Sequence, residues 1–82
     1  MVPQPDSTLK LRLYRRETCS LCSLAEAVLA EIGIEAEICY LEDDAASEQR
    51  YGWRIPVVLR TDTDAELDWP FDALKLRRFL GI

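Results

Sequence analysis

The chain has no histidine, one methionine, three glycines and three cysteines in 82 residues. Without histidine it lacks the commonest general base near neutral pH and the commonest nitrogen ligand for metals. Ser-His-Asp and Cys-His catalysis and histidine-containing zinc sites are therefore excluded. Chemistry is left to thiols, carboxylates and cations. Positive charge is also scarce: ten Lys and Arg face fifteen Asp and Glu, a net charge of −5, with an acidic balance in both halves. No basic stripe exists for nucleic acid or an anionic membrane surface, so neither is an expected partner. No apolar run approaches the roughly 20 residues of a membrane-spanning helix. The segment Met1-Val2-Pro3-Gln4-Pro5-Asp6-Ser7-Thr8 has neither a cationic start nor an apolar stretch, so residues 1–8 read as a flexible tail rather than a secretory signal. An odd number of cysteines argues against a multiply stapled secreted scaffold, and the expected compartment is the reducing cytoplasm.

An apolar content of 49% suits a soluble globule, and the length allows a single domain with a small core, assigned to residues 9–82. Leu9, Leu11 and Leu13 alternate along 8–14, the period of a strand. Leu21, Leu24, Ala25, Val28, Leu29 and Ile32 recur at helical spacing, with Gly33 as the stop. Residues 35–41 read as a second strand, followed by Glu42-Asp43-Asp44 capping a short helix to about Tyr51 and Gly52. A third strand follows Pro56. The polar turn Thr61-Asp62-Thr63-Asp64 leads to a fourth strand over 65–69, pairing with the third as a hairpin. Asp72 caps a last helix over 73–80, stopped by Gly81. The order β-α-β-α-β-β-α, with a right-handed first crossover, predicts an α/β fold: a four-stranded mixed sheet with helices on both faces.

Cys19-Ser20-Leu21-Cys22 falls where the first strand hands over to the first helix. Unpaired backbone N–H groups and the positive end of the helix dipole favour a thiolate there. Free cysteine titrates near ~8.5, and this setting in CxxC motifs lowers the value to between ~3.5 and ~7.5, without any histidine. Two sulfurs three residues apart on a first helical turn can reach bonding distance without backbone movement. Position 19 precedes the helix and faces out, whereas position 22 flanks the buried stripe. In thiol–disulfide exchange Cys19 is then the nucleophile and Cys22 the resolving thiol. A structural zinc site needs four ligands, and Cys39 alone is left over, so no metal is expected. A purely structural bond across so short a loop would add little stability. Cys39, mid-strand among apolar neighbours, reads as a buried hydrophobe, and Trp53 as a packing residue.

Tyr14-Arg15-Arg16-Glu17-Thr18-Cys19-Ser20-Leu21-Cys22, followed by Gly52-Trp53-Arg54-Ile55-Pro56-Val57-Val58, resembles the glutaredoxins of the thioredoxin-fold superfamily. The ending Leu67-Asp68-Trp69-Pro70-Phe71-Asp72 is similar to a glutaredoxin-like family of small bacterial proteins. The resemblance implies a thioredoxin fold, a cis Ile55–Pro56 peptide beside Cys19, and free backbone groups on Ile55 for an extended substrate. It also implies glutathione as reductant or substrate, contacted through Arg16, the Ile55–Pro56 backbone and an acid at the start of the last helix. Asp72 is the equivalent acid, although Trp69-Pro70-Phe71 stands where that family has paired glycines and Val57 where it has a polar residue. Arg54, just ahead of Pro56, joins the candidate substrate contacts.

The expected activity is reversible dithiol–disulfide exchange by a cytoplasmic monomer without a bound cofactor, acting on a disulfide-containing protein or a glutathione mixed disulfide. A binding module with non-catalytic cysteines, using the Trp69-Pro70-Phe71 edge, is the alternative. A third reading is an iron–sulfur cluster shared between two chains.

Overall fold

The computed structural model describes residues 10–82, so the expected tail over 1–8 and Leu9 lie outside the described residues. Seven regular elements follow in the expected order: β1 (Leu11–Arg15), α1 (Ser20–Glu31), β2 (Glu37–Tyr40), α2 (Ala45–Tyr51), β3 (Val57–Arg60), β4 (Glu66–Asp68) and α3 (Ala73–Leu80). A 3-10 turn over Leu41–Asp43 joins β2 to α2. The sheet runs β2-β1-β3-β4, with β2 parallel to β1, and β1–β3 and β3–β4 antiparallel. This is the mixed four-stranded sheet of a thioredoxin-like fold.

Period-two alternation divides the core into two layers. Leu11, Leu13 and Val58 meet Ala25 and Leu29 of α1 and Leu76 and Leu80 of α3 on one face. On the other, Tyr14 and Val57 meet Tyr51 of α2 and Leu41. Leu13 is paired with Val58, and Tyr14 with Val57, so each face is filled by cross-strand partners.

The apolar stripe of α1 differs from expectation. Cys22, Ala25 and Leu29 are buried, while Leu21 and Leu24 remain 47% and 53% exposed. Neighbouring helical positions lie about 100° apart, so the rotation that buries 22 and 25 turns 21 and 24 outward. Small residues at 22 and 25 leave room for the sheet. Only Asp44 of the acidic triad caps α2, accepting from the Ala46 N–H at 3.3 Å. Asp72 caps α3 by accepting from the Lys75 N–H at 2.8 Å. Gly81 ends α3 at φ 75°, a left-handed conformation that a glycine adopts without strain.

Half-buried Glu66 ties the β3–β4 hairpin to α2. It accepts from Arg54 at 2.6 Å, Arg50 at 2.8 Å and the Tyr51 hydroxyl at 3.0 Å. Tyr51 in turn stacks on Tyr14 with ring centroids 4.2 Å apart. Arg54 above all, then Arg50 and Tyr51, hold the Glu66 carboxyl below its ordinary value. A carboxyl whose folded value is depressed stabilises the fold above its unfolded value of about 4.3, and that contribution is lost as the pH falls through the folded value. Glu66→Gln should therefore be less stable than wild type at pH 7 in urea denaturation, with the difference shrinking as the pH is taken from about 5 to 3. An undiminished difference at pH 3 would assign the effect to packing rather than charge.

Candidate functional site

Strand direction gathers the chemistry at one end of the sheet. β1, β2 and β4 finish there and β3 begins there, since Arg15 is level with Tyr40, and Tyr14 with Val57, which is level with Asp68. Four connecting segments converge on it: the Arg16–Cys19 turn, the Leu41–Asp43 turn, Ile55–Pro56 and Trp69–Pro70. The Ile55–Pro56 and Trp69–Pro70 peptides are both cis.

Cys19 is the N-cap of α1, with extended backbone at φ −154° and ψ 107°. Its sulfur accepts the Cys22 backbone N–H at 3.2 Å, in place of the oxygen that usually caps a helix. Cys19 and Cys22 are joined as a disulfide with Cα atoms 5.2 Å apart, within the normal span of such bonds. Cys22 is fully buried and Cys19 half-buried, so the outer sulfur is the one open to another molecule.

Three arginines surround this end, each already engaged. The Arg16 guanidinium grips both carboxylate oxygens of Glu48 on α2, at 2.6 and 2.5 Å, and holds that carboxyl below its ordinary value. Arg54 is directed to Asp68, at 2.8 and 2.9 Å, and to Glu66. Those bonds raise its already high pKa further. Arg15 lies beneath the turn, 7% exposed, donating to the carbonyls of Arg16 and Glu17 at 2.8 and 3.2 Å and to the Glu26 carboxylate on α1. Glu42 accepts the Glu17 backbone N–H at 3.0 Å, which lowers its titration. Instead of helping to cap α2, Glu42 fastens the turn that leads into Cys19.

The Ile55 N–H, expected to be free, is taken by the Tyr51 carbonyl at 3.2 Å, because α2 ends directly against this segment. Pro56 is fully buried, and its carbonyl accepts the Trp69 N–H at 3.1 Å. Asp72 spends one carboxylate oxygen on its helix cap and lies with Pro70, Phe71 and Lys75 along a shallow cleft. Trp53 does not pack at all, being 99% exposed. Cys39 is half-buried rather than core, and burial, with Glu37 second, pushes its thiol up. Edge position explains this, since β2 has a neighbour on one side only.

Among the described residues no three Cys, Asp or Glu side chains converge as a metal cluster, and no helix is long and apolar enough to cross a membrane. Sequence reasoning missed Glu26 and Glu48 and gave Glu42 only a role in capping α2. The alternation Leu11, Leu13, Arg15 signals an inward cation. Nothing along the chain signals that Glu48 would meet Arg16, which comes from tertiary packing.

A family model, Glutaredoxin-like domain (DUF836), matches residues 10–81. The crystal structure of protein XcR50 from X. campestris is 43% identical, with a TM-score of 0.80 over 87% of this chain and 95% of that one. Its solution structure gives a TM-score of 0.76 over 88% and 92%. The solution structure of protein Ne2328 from Nitrosomonas europaea is 26% identical, with a TM-score of 0.75 over 96% and 98%. No curated protein matches the chain.

A Cβ at Gly52 would lie 2.6 Å from the Glu48 carbonyl oxygen and 2.7 Å from its Oε2. Gly52→Ala should cost about 1–3 kcal/mol in urea denaturation, because backbone must shift to admit the methyl. Trp53→Ala should stay within about 0.5 kcal/mol of wild type, as expected for a side chain that buries nothing. A larger loss at Trp53 would mean that its ring packs.

Proposed function

The chain belongs to the Glutaredoxin-like domain family, and from that premise we propose that it is a thiol–disulfide oxidoreductase working through Cys19 and Cys22. One observation carries the reading: the pair sits at the N-cap of α1, its outer sulfur held by a backbone N–H, at the sheet end that also carries Ile55–Pro56. A helix N-terminus favours the charged thiolate, which is the form that attacks sulfur.

In the reduced protein the Cys19 thiolate attacks one sulfur of a substrate disulfide. A Cys19–substrate bond forms and the other substrate sulfur leaves as a thiolate. Buried Cys22 then loses its proton and attacks Cys19 Sγ, releasing the second substrate thiolate and closing the Cys19–Cys22 disulfide. The substrate gains two electrons and the protein loses two. An external thiol, glutathione or a dithiol partner, returns the protein to its reduced form. The substrate is a disulfide-containing protein or a glutathione mixed disulfide, handled by a monomer without a bound cofactor in the reducing cytoplasm. Glutathione carboxylates could use Arg16 only by displacing Glu48 from its guanidinium. With the Ile55 N–H and the Pro56 carbonyl engaged within the fold, the remaining contacts come from the Ile55 carbonyl and from Asp72, and Arg54 orients this rim through β4.

The Trp69-Pro70-Phe71 edge is a poor docking surface for a binding module. Phe71 is buried in the core and the Trp69 ring rests on it edge-on at 5.0 Å. Cys19→Ser should abolish reduction of a disulfide substrate, and wild-type turnover in that variant would refute the assignment. Cys22→Ser should accumulate mixed disulfides through Cys19. Mass spectrometry finding adducts only at other positions would reject the division of roles.

A further inference from the structure

Arg15 is not used by the exchange steps above, yet it is the one charged residue buried among the described residues. Strand alternation places it with Leu11 and Leu13, on the face covered by α1. A buried cation is costly unless its donors are satisfied. Arg15 meets that condition with the redox turn itself. Its Nε donates to the Arg16 carbonyl at 2.8 Å, and its Nη2 to the carbonyls of Glu17 and, at the long limit of 3.4 Å, Cys19. Its Nη1 is bound to the Glu26 carboxylate. Glu26 stands two helical turns beyond Cys19 on the same stripe of α1, so the guanidinium braces the turn against the helix it starts. The Cys19 carbonyl also accepts from the Ser23 N–H at 3.1 Å and the Ser23 hydroxyl at 3.3 Å.

Other charges at this end are already answered. Arg16 and Glu48 neutralise each other, Arg54 faces Glu66 and Asp68, and Asp72 caps α3. Glu42, from the turn after β2, is spent on the Glu17 N–H. Glu17 and Glu26 oppose a thiolate at Cys19, and Arg15 is the cation bonded to the Cys19 backbone.

We propose, resting on the oxidoreductase reading, that Arg15 is the positioning residue of the redox site: it holds the Arg16–Cys19 turn closed and keeps a permanent positive charge beside the first turn of α1, favouring the Cys19 thiolate. Arginine suits the role because its fork reaches several acceptors at once. Glu26 is its counterweight, fixing the fork while offsetting part of its field.

The test is peptide-resolved iodoacetamide alkylation of Cys19 against pH, on the reduced full chain, for wild type, Arg15→Gln, Arg15→Lys and Glu26→Gln, with folding checked by urea denaturation. A neighbouring opposite charge shifts a titration by one to a few pH units, and Glu26 offsets part of this. The Arg15→Gln midpoint should therefore rise by about one unit, a tenfold smaller acid dissociation constant for the Cys19 thiol. Arg15→Lys, which keeps the charge but loses the fork, should fall between. Glu26→Gln keeps an acceptor and removes a negative charge, so its midpoint should drop. A folded Arg15→Gln with the wild-type midpoint overturns the proposal, as does movement of Arg15→Gln and Glu26→Gln in the same direction. Should Arg15→Gln fail to fold, an unchanged or raised midpoint in Glu26→Gln overturns it. A wild-type midpoint near that of free cysteine, about 8.5, would instead strike down the oxidoreductase reading. A low wild-type midpoint with unaltered Arg15→Gln sinks only the role of Arg15.

Discussion

Two parallel strands cannot be joined by a hairpin, so the chain between Arg15 and Glu37 must recross the sheet as a helix. That helix has to begin at the end where β1 stops. The turn between them is four residues long, and its last residue, Cys19, becomes the N-cap. β3 runs antiparallel to β1 and therefore starts at the same end, which brings Ile55–Pro56 there as well. The placement of the thiols at a helix N-terminus, at the same sheet end as a cis-proline segment, is a consequence of strand direction.

Charge is used sparingly within this frame. With no histidine and few cations, the arginines near the site are held by acids from other elements: Arg15 by Glu26, Arg16 by Glu48, and Arg54 by Glu66 and Asp68. The more exposed of these pairs, Arg16–Glu48, contributes little to stability by itself, whereas buried Arg15 needs its partners to offset the cost of its burial. Their geometric effect is larger, because each ties a connecting segment of the site end to a neighbouring element. The backbone hydrogen bond from Glu17 to Glu42 does the same for the Arg16–Cys19 turn.

Much of this was legible along the chain. Alternation at Leu11 and Leu13, helical spacing at Ala25 and Leu29, and caps at Asp44 and Asp72 place the elements within a few residues of where they stand. These are local rules, and the residues obeying them need no distant partner. Readings failed where an outcome depended on what packed opposite. Leu21 and Leu24 have the right spacing but the wrong rotation, Cys39 lies on an edge strand that only partly covers it, and Trp53 has nothing to pack against among the described residues.

Element order, the CxxC pair at a strand-to-helix junction and the absence of histidine chemistry follow from spacing and composition, which are properties of the chain alone. Tertiary structure decided which charges meet. Glu48 reaches Arg16 across 32 positions, Glu42 reaches Glu17 across 25, and Arg15 is turned beneath the Arg16–Cys19 turn toward Glu26. Such contacts are set by strand order and helix rotation, which fix distances between residues that no local pattern relates.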